Sequence, residues 1–528
     1  MFISSLSLLA LVFATNIFIS TANAQPRAFT NPILYEDFPD NDVFVGPDGA
    51  YYLSASSFHY SPGAPILKSH DLVNWAFIGH SVPRLDFGDG YDLAPGTRAY
   101  RGGIWASTMR YRPSNGLWYW LGCTNFWNNW IYSAPNVTGP WTRAAYLGGG
   151  NCYYDTGMLI DDDDTMYVVY GNPNVQVAQL APDGKSQIKS ASILNATDVG
   201  VDAIEGNRLY KINGTYYILN DHPGDTTYIW KSKNIWGPYE SKVLIKSITP
   251  PLVGGSSPHQ GSIVQTQNGD WYYMSFTWAY PSGRLPVLAP IEWGDDGFPV
   301  FVTGDNGGWG ASYPLPLPAV PAPSWTMAYT FNGTTLDPHF EWNHDPDVTK
   351  FAVNNGLTLS TASITTDLYQ ARNTLTHRIH GEFPSATMKL DIGRLADGDR
   401  TGLAAFRDRS AYIGVHRSAN TSTIVAAFNM TIDEYSGNTI DNGTIMASVP
   451  VPEGKKEIWF RTKMDARPNG TNDATFYWSV DGRDFSQLVG TYKLYTGWAF
   501  FLGYRFAVFN FATLGLGGEV IVEEFTVA

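Results

Sequence analysis

A short aromatic strand behind a tight glycine turn recurs through the first part of this chain, and that recurrence constrains the fold more than any other feature. The copies are Gly49-Ala-Tyr-Tyr-Leu53, Gly116-Leu-Trp-Tyr-Trp120, Gly214-Thr-Tyr-Tyr-Ile218 and Gly269-Asp-Trp-Tyr-Tyr273. A degenerate copy, Asp164-Thr-Met-Tyr-Val168, follows the acidic run Asp161 to Asp164. That run reads as a solvated hairpin turn rather than a metal site. Glycine supplies the positive φ that tight hairpins need. A second element follows each copy: Ile66 to Asn74-Trp75, Ile131 to Gly139-Pro-Trp141, and Tyr228 to Gly237-Pro-Tyr239, with weaker versions near Val175 and Val287. Five units of roughly fifty to seventy residues, each of several short strands, predict a five-bladed β-propeller.

The repeat stops near residue 312. Pro314, Pro316, Pro318, Pro321 and Pro323 then predict an extended, stiff linker over 313–325. Alternating runs such as Ala386 to Asp391 and Glu457 to Thr462, parted by the turns Asp397-Gly398 and Asp481-Gly482, predict a jelly-roll-like β-sandwich over 326–528. The chain is therefore expected to be all-β, with a propeller over 25–312 carrying any catalysis. Residues 1–24 are apolar and end in Ala22-Asn23-Ala24, the pattern of a signal peptide cleaved before Gln25. The expected destination is extracellular. A membrane anchor is the competing reading of that segment, and no later stretch is long and apolar enough to span a bilayer.

Composition narrows the partners. The formal charge of −14 argues against nucleic acid, which requires clustered Lys and Arg. Aromatic residues make up 15% of the chain, enough to pack many strands and still line a sugar site. Asn136, Asn195, Asn213, Asn332, Asn420, Asn429, Asn442 and Asn469 begin N-x-S/T sequons, a density that suits secretion and glycosylation. Cys123 and Cys152, the two cysteines, either pair in an oxidising compartment or stay as buried thiols.

Used as a ruler, the repeat places the start of each innermost strand about ten residues before each aromatic hairpin strand. Asp40, Trp105, Asp155, Glu205 and His259 stand there. Three carboxylates, an indole and an imidazole should thus converge at one axial depression. Carboxyl groups held at different pKa values are what glycosidic cleavage needs: one donates a proton to the leaving oxygen, and another activates water or attacks carbon. A third can raise the acid's pKa by repulsion.

At these residues the chain resembles glycoside hydrolase family 43, over both parts and nearly all of the mature chain. Asn31-Pro-Ile-Leu34 with Pro39-Asp-Asn-Asp-Val43 is similar to the family's opening, which implies Asp40 as general base. Asn41 stands where proline is commoner, which leaves Asp42 as a rival. Tyr154-Asp155 resembles the segment of the pKa-modulating aspartate. Glu205-Gly206, with Asn207 in place of the usual proline, resembles the segment of the general acid. His259-Gln-Gly-Ser-Ile-Val264 is similar to the segment of an axial histidine, often beside water or calcium. Gly283-Arg284 is similar to that of a substrate-binding arginine. His259 is otherwise a satisfied buried group, Arg284 a surface ion pair, and Trp105 either a sugar platform or core. Phe340 to His344 and Ala371 to Thr376 resemble the sandwich of fungal arabinofuranosidases and xylosidases, in some of which a loop reaches the propeller mouth.

The resemblance implies a single, inverting displacement needing no cofactor. It implies an α-L-arabinofuranosidase that strips side chains from arabinoxylan, a class of which some members act on doubly substituted xylose units; a monomer is expected, with no nucleic-acid or membrane partner. A β-xylosidase is the nearest alternative. A xylan-binding protein without activity is the alternative of another class.

Overall fold

The structure, a computed structural model, describes residues 27–147 and 152–528. The expected signal peptide lies outside the described residues. Five four-stranded antiparallel sheets follow in order, with innermost strands Asp42–Val45, Thr108–Arg112, Gly157–Ile160, Glu205–Ile212 and His259–Gln265. The repeated aromatic segments are the second strand of each sheet, Tyr51–Ser54, Leu117–Thr124, Met166–Tyr170, Thr215–His222 and Trp271–Trp278. These strands are hydrophobic because each is covered on both faces by neighbouring blades. The five-bladed propeller is therefore as the repeat predicts.

The ring is clamped at its seam. Ala28–Thr30 pairs with Ser312–Pro314. The Asn31 amide donates to the carbonyls of Leu288 and Gly310 (both 2.9 Å) and accepts from Leu288 N–H. The acidic turn is used for stitching between blades: Asp164 pairs with Arg112, and Asp161 accepts from Lys211 and from Tyr216 (2.6 Å).

Two stacked sheets of nine and eight strands form the second body around one apolar core that includes Met388, Leu403, Phe460 and Phe506. The eight-stranded sheet ends on a strand borrowed from the first blade. Tyr60–Ser61 pairs with Phe340–Asn343 in the register Ser61↔Trp342 and Tyr60↔Asn343. The proline-rich segment is docked, not free: Trp325 packs on Phe38 and Phe77 and donates to Trp75 O (3.1 Å), and Val320 N donates to Asp71 (2.7 Å). Glu341, Arg378, Arg505 and His80 form a buried charge cluster between the two bodies. Cys123 and Cys152 are joined as a disulfide.

Candidate active site

The five axial positions do come together, with a shift of one residue that the repeat did not reveal. In four blades the chain enters the innermost strand through a left-handed residue: Asp40 (φ 58°), Asp155 (φ 48°), Gly206 (φ 67°) and Gln260 (φ 52°). Non-glycine residues rarely adopt this region, and where they do the strain tends to sit at functional sites. Asp40 and Asp155 occupy this position itself. Glu205 and His259 stand one residue earlier, level with Tyr154 of the third blade. The glycine at 206 is required. A Cβ there would lie 2.3 Å from Asp221 Oδ1 and 2.5 Å from Gln260 Cγ. The same residue carries a β-bulge that turns Glu205 toward the axis.

Asp40 is buried and bound by three donors. Arg284 donates to both oxygens (Nη1 to Oδ1, 2.6 Å; Nη2 to Oδ2, 3.2 Å), and Ser56 Oγ donates to Oδ2 (2.6 Å). Arg284 is thus not a surface ion pair; it is buried over Phe58 and Phe276. The rival Asp42 is fully buried and engaged by Arg110 (2.6 Å), Thr108 Oγ1 (2.8 Å) and Met109 N (3.1 Å). Burial alone would raise its carboxyl, but Arg110 and Arg208 hold it below the ordinary range. It ties the first blade to Arg110 and Arg208 and is shut off from solvent.

Glu205 is half-buried, and its Oε2 accepts from Tyr154 OH (3.0 Å) and Asn172 Nδ2 (3.2 Å). Burial raises its carboxyl above the usual range. The Tyr154 bond pulls the other way, and the Asp40 charge adds to the rise. Asp155 Oδ2 accepts from Gly206 N (2.9 Å), so this aspartate also fixes the backbone that carries Glu205. Burial first, then the Glu205 and Asp40 charges, push its carboxyl well above normal. The disulfide holds Tyr154 and Asp155 against the second blade, because Cys152 is two and three residues away.

The sequence reading missed Asp221. It lies directly across the strand pair from Glu205, fully buried, and neither of its oxygens has a hydrogen-bond partner among the described residues. Burial, then the charges of Glu205, Asp155 and Asp40, drive its carboxyl well above normal.

His259 is wedged edge-on between Phe276 and Trp278, with Nδ1 against Ser257 O (3.0 Å). Burial pushes its imidazole down to about 4. Calcium takes six or more oxygen ligands. Among the described residues no group of three or more His, Cys, Asp or Glu is arranged to hold a metal. Nothing among the described side chains supports the expected calcium at His259, and no step below passes through a metal.

Trp105 is half-buried, and its Nε1 donates to Arg101 O (2.8 Å). It is one link in an arc of rings that runs His259, Trp278, Trp498, Phe501, Trp105, Phe126, Tyr154. Trp498 and Phe501 come from the sandwich, and Phe126 and Trp498 are each about half exposed. Such faces are suited to stack on sugar rings. They were not legible from the blade repeat because they lie on loops outside it.

Comparison with known proteins matches both parts of the chain. The family model described as glycosyl hydrolases family 43 matches residues 29–299, and the model described as a beta xylosidase C-terminal concanavalin A-like domain matches residues 328–528. A "Beta-xylosidase" of Formosa agariphila is 25% identical over 94% of this chain and 90% of its own. A "Non-reducing end alpha-L-arabinofuranosidase" of Bacteroides ovatus is 29% identical over 55% of this chain and 56% of its own. A solved GH43 glycoside hydrolase, engineered to display both endo-xylanase and exo-arabinofuranosidase activity, superposes with a TM-score of 0.91. It is 44% identical, over 95% of this chain and 99% of that one.

Proposed function

This chain belongs to glycosyl hydrolases family 43 and is a glycoside hydrolase; on that footing we propose that it is an inverting α-L-arabinofuranosidase that removes arabinofuranosyl side chains from arabinoxylan. The observation that carries the reading is the contrast between two carboxyl groups at one axial pocket. Asp40 is gripped by a guanidinium and a hydroxyl, whereas Glu205 is pushed by burial toward its protonated form.

In the proposed reaction Asp40 takes a proton from water as that water attacks the anomeric carbon. Glu205 gives its proton to the departing xylan oxygen. Its Oε2 is occupied as acceptor by Tyr154 and Asn172, so the transferred proton sits on Oε1. Asp155 keeps the acid in place through Gly206 N and adds like charge when ionised. Inversion requires room for the water between base and sugar, which corresponds to carboxyl groups ~6.5–9.5 Å apart. Trp105, Phe126 and Trp498 are assigned to sugar stacking, and Arg284 to holding the base.

The arabinose assignment rests on the 44%-identical relative and its exo-arabinofuranosidase activity. The second reading is β-xylosidase, favoured by the C-terminal match and by the Formosa relative's name. Digestion of arabinoxylan with identification of the sugar separates them. L-Arabinose as the main product is expected. Xylose would move the assignment to β-xylosidase, and binding without any released sugar would leave a non-catalytic xylan-binding protein. We also propose secretion with cleavage before Gln25 and glycosylation at exposed sequons such as Asn136 and Asn420. N-terminal sequencing and intact mass of the secreted protein test both.

A further inference from the structure

Arg284, which holds the base, is itself held from the second body of the molecule. Its Nε donates to Phe501 O (3.2 Å), a carbonyl of the sandwich. Its backbone N donates to Asp37 Oδ1 (2.7 Å), while Asp37 Oδ2 accepts from Gly503 N (3.0 Å), again in the sandwich. Asp37 is 3% exposed and lies three residues before Asp40 on the same entering segment. Its carbonyl accepts from Arg378 Nε (3.0 Å), a third tie across the boundary.

The packing leaves this junction little slack. A Cβ on Gly503 would lie 2.0 Å from Ser282 O, and one on Gly283 would lie 2.4 Å from Asp37 Oδ1. Tyr504 N donates to Pro281 O (3.0 Å), and Ser282 Oγ donates to Ala466 O (2.6 Å). The turn 281–284 is therefore pinned between Asp37 and the segment 501–504. Phe501 adopts φ 68°, a conformation that leaves its ring parallel to Phe58 (4°, 6.1 Å) and its carbonyl on Arg284.

We propose that Asp37 is a positioning residue through which the sandwich segment Phe501–Gly503 sets the orientation of Arg284 and so of the base Asp40. The inference rests on the reading of Asp40 as general base. Each Asp37 oxygen receives one backbone N–H, one from each body. An asparagine in its place offers one acceptor and turns an NH2 group against the other N–H. A misplacement of about an ångström at a reacting group costs up to ~100-fold in rate.

The test uses the full chain with Asp37→Asn, Gly503→Ala, the double variant and Asp40→Asn. Rates are taken per folded molecule on arabinoxylan and on an arabinofuranoside with an activated aryl leaving group. The expected result for each single variant is a kcat lowered about 10- to 100-fold on both substrates with KM little changed. The double variant should lose little more than the worse single variant, because both break one linkage. A purely structural role would lower the yield of folded protein and leave kcat per folded molecule intact. If Asp37→Asn does not fold, Gly503→Ala carries the same expectation from the other body. Folded variants with unchanged kcat, or a loss on the polymer alone, overturn the inference while Asp40→Asn stays inactive. An active Asp40→Asn overturns the assignment of the base itself.

Discussion

The two halves of the pocket solve opposite electrostatic problems with the same residue type. On the base side Asp40 faces Arg284, and beneath the pocket the buried Asp42 faces Arg110 and Arg208. On the acid side, Glu205, Asp155 and Asp221 crowd together, and none of the three forms an ion pair among the described residues. Their hydrogen bonds come from a phenol, an amide and a backbone N–H, and Asp221 has none. Burial pushes all three carboxyls of the second side above the ordinary range. The two sides thus differ in contact: Arg284 bonds Asp40 directly, whereas arginine reaches Glu205, Asp155 and Asp221 only at longer range.

The sharpest way to break this contrast is to neutralise each side in turn. Asp40→Asn should lower activity by about 10²–10⁴-fold on every substrate, because water must be activated whatever departs. Glu205→Gln should cause a loss of similar size on arabinoxylan and a much smaller one on an activated aryl arabinofuranoside, whose leaving group needs no proton. Steady-state rates on both substrates decide. Equal and small losses for Glu205→Gln would remove it as the acid.

A second prediction concerns stability on the acid side. Asp221 has a folded pKa raised well above its unfolded value near 3.8. Between those two values the folded state binds more protons than the unfolded state, so this group's contribution to stability falls as pH rises. Asp221→Asn removes that penalty. The variant should melt close to the parent near pH 4 and above it at pH 7, with the gap widening as pH rises. Calorimetry across that range tests the sign; a variant less stable at pH 7 would mean that Asp221 is ionised and paired.

The smallest effect is expected at Tyr154. Its hydroxyl favours the ionised form of Glu205, so Tyr154→Phe should let the acid keep its proton longer. The alkaline limb of the pH–rate profile should move to higher pH, with a modest loss of kcat from poorer orientation. A limb that moves to lower pH would reverse the assigned role of this bond.

Much of the site was legible because a propeller converts sequence period into spatial convergence. Asp40 and Asp155 could be placed by counting back from aromatic strands, since each blade enters its innermost strand in the same way. The one-residue offset of Glu205 and His259 was not legible. The left-handed position accepts Asp, Gly or Gln, so no residue type marks it. Asp221 was hidden for a related reason. Counting outward from the Asn213-Gly214 hairpin puts residue 222 opposite Glu205, and only the bulge at Gly206 brings 221 there. An aspartate before His222-Pro223 otherwise reads as the start of a turn. The resemblance implied a sandwich loop at the propeller mouth, but not which residues tie the two bodies. Tyr60 pairs with Asn343, and Asp37 meets Gly503 across 466 residues, distances over which no local pattern speaks. The proline-rich segment read as a spacer because prolines stiffen a chain whether or not it is docked; Trp325 is what docks it.

The central claim is that a water activated by Asp40 attacks one face of the sugar while Glu205 protonates the group leaving the other. Proton NMR of the first minutes of hydrolysis of an aryl α-L-arabinofuranoside, before mutarotation, reads this directly. The account predicts that the β-anomer of L-arabinose forms first and the α-anomer grows in later. An α-anomer formed first would mean retention through a covalent glycosyl-enzyme, and would contradict the assignment of Asp40 as a base.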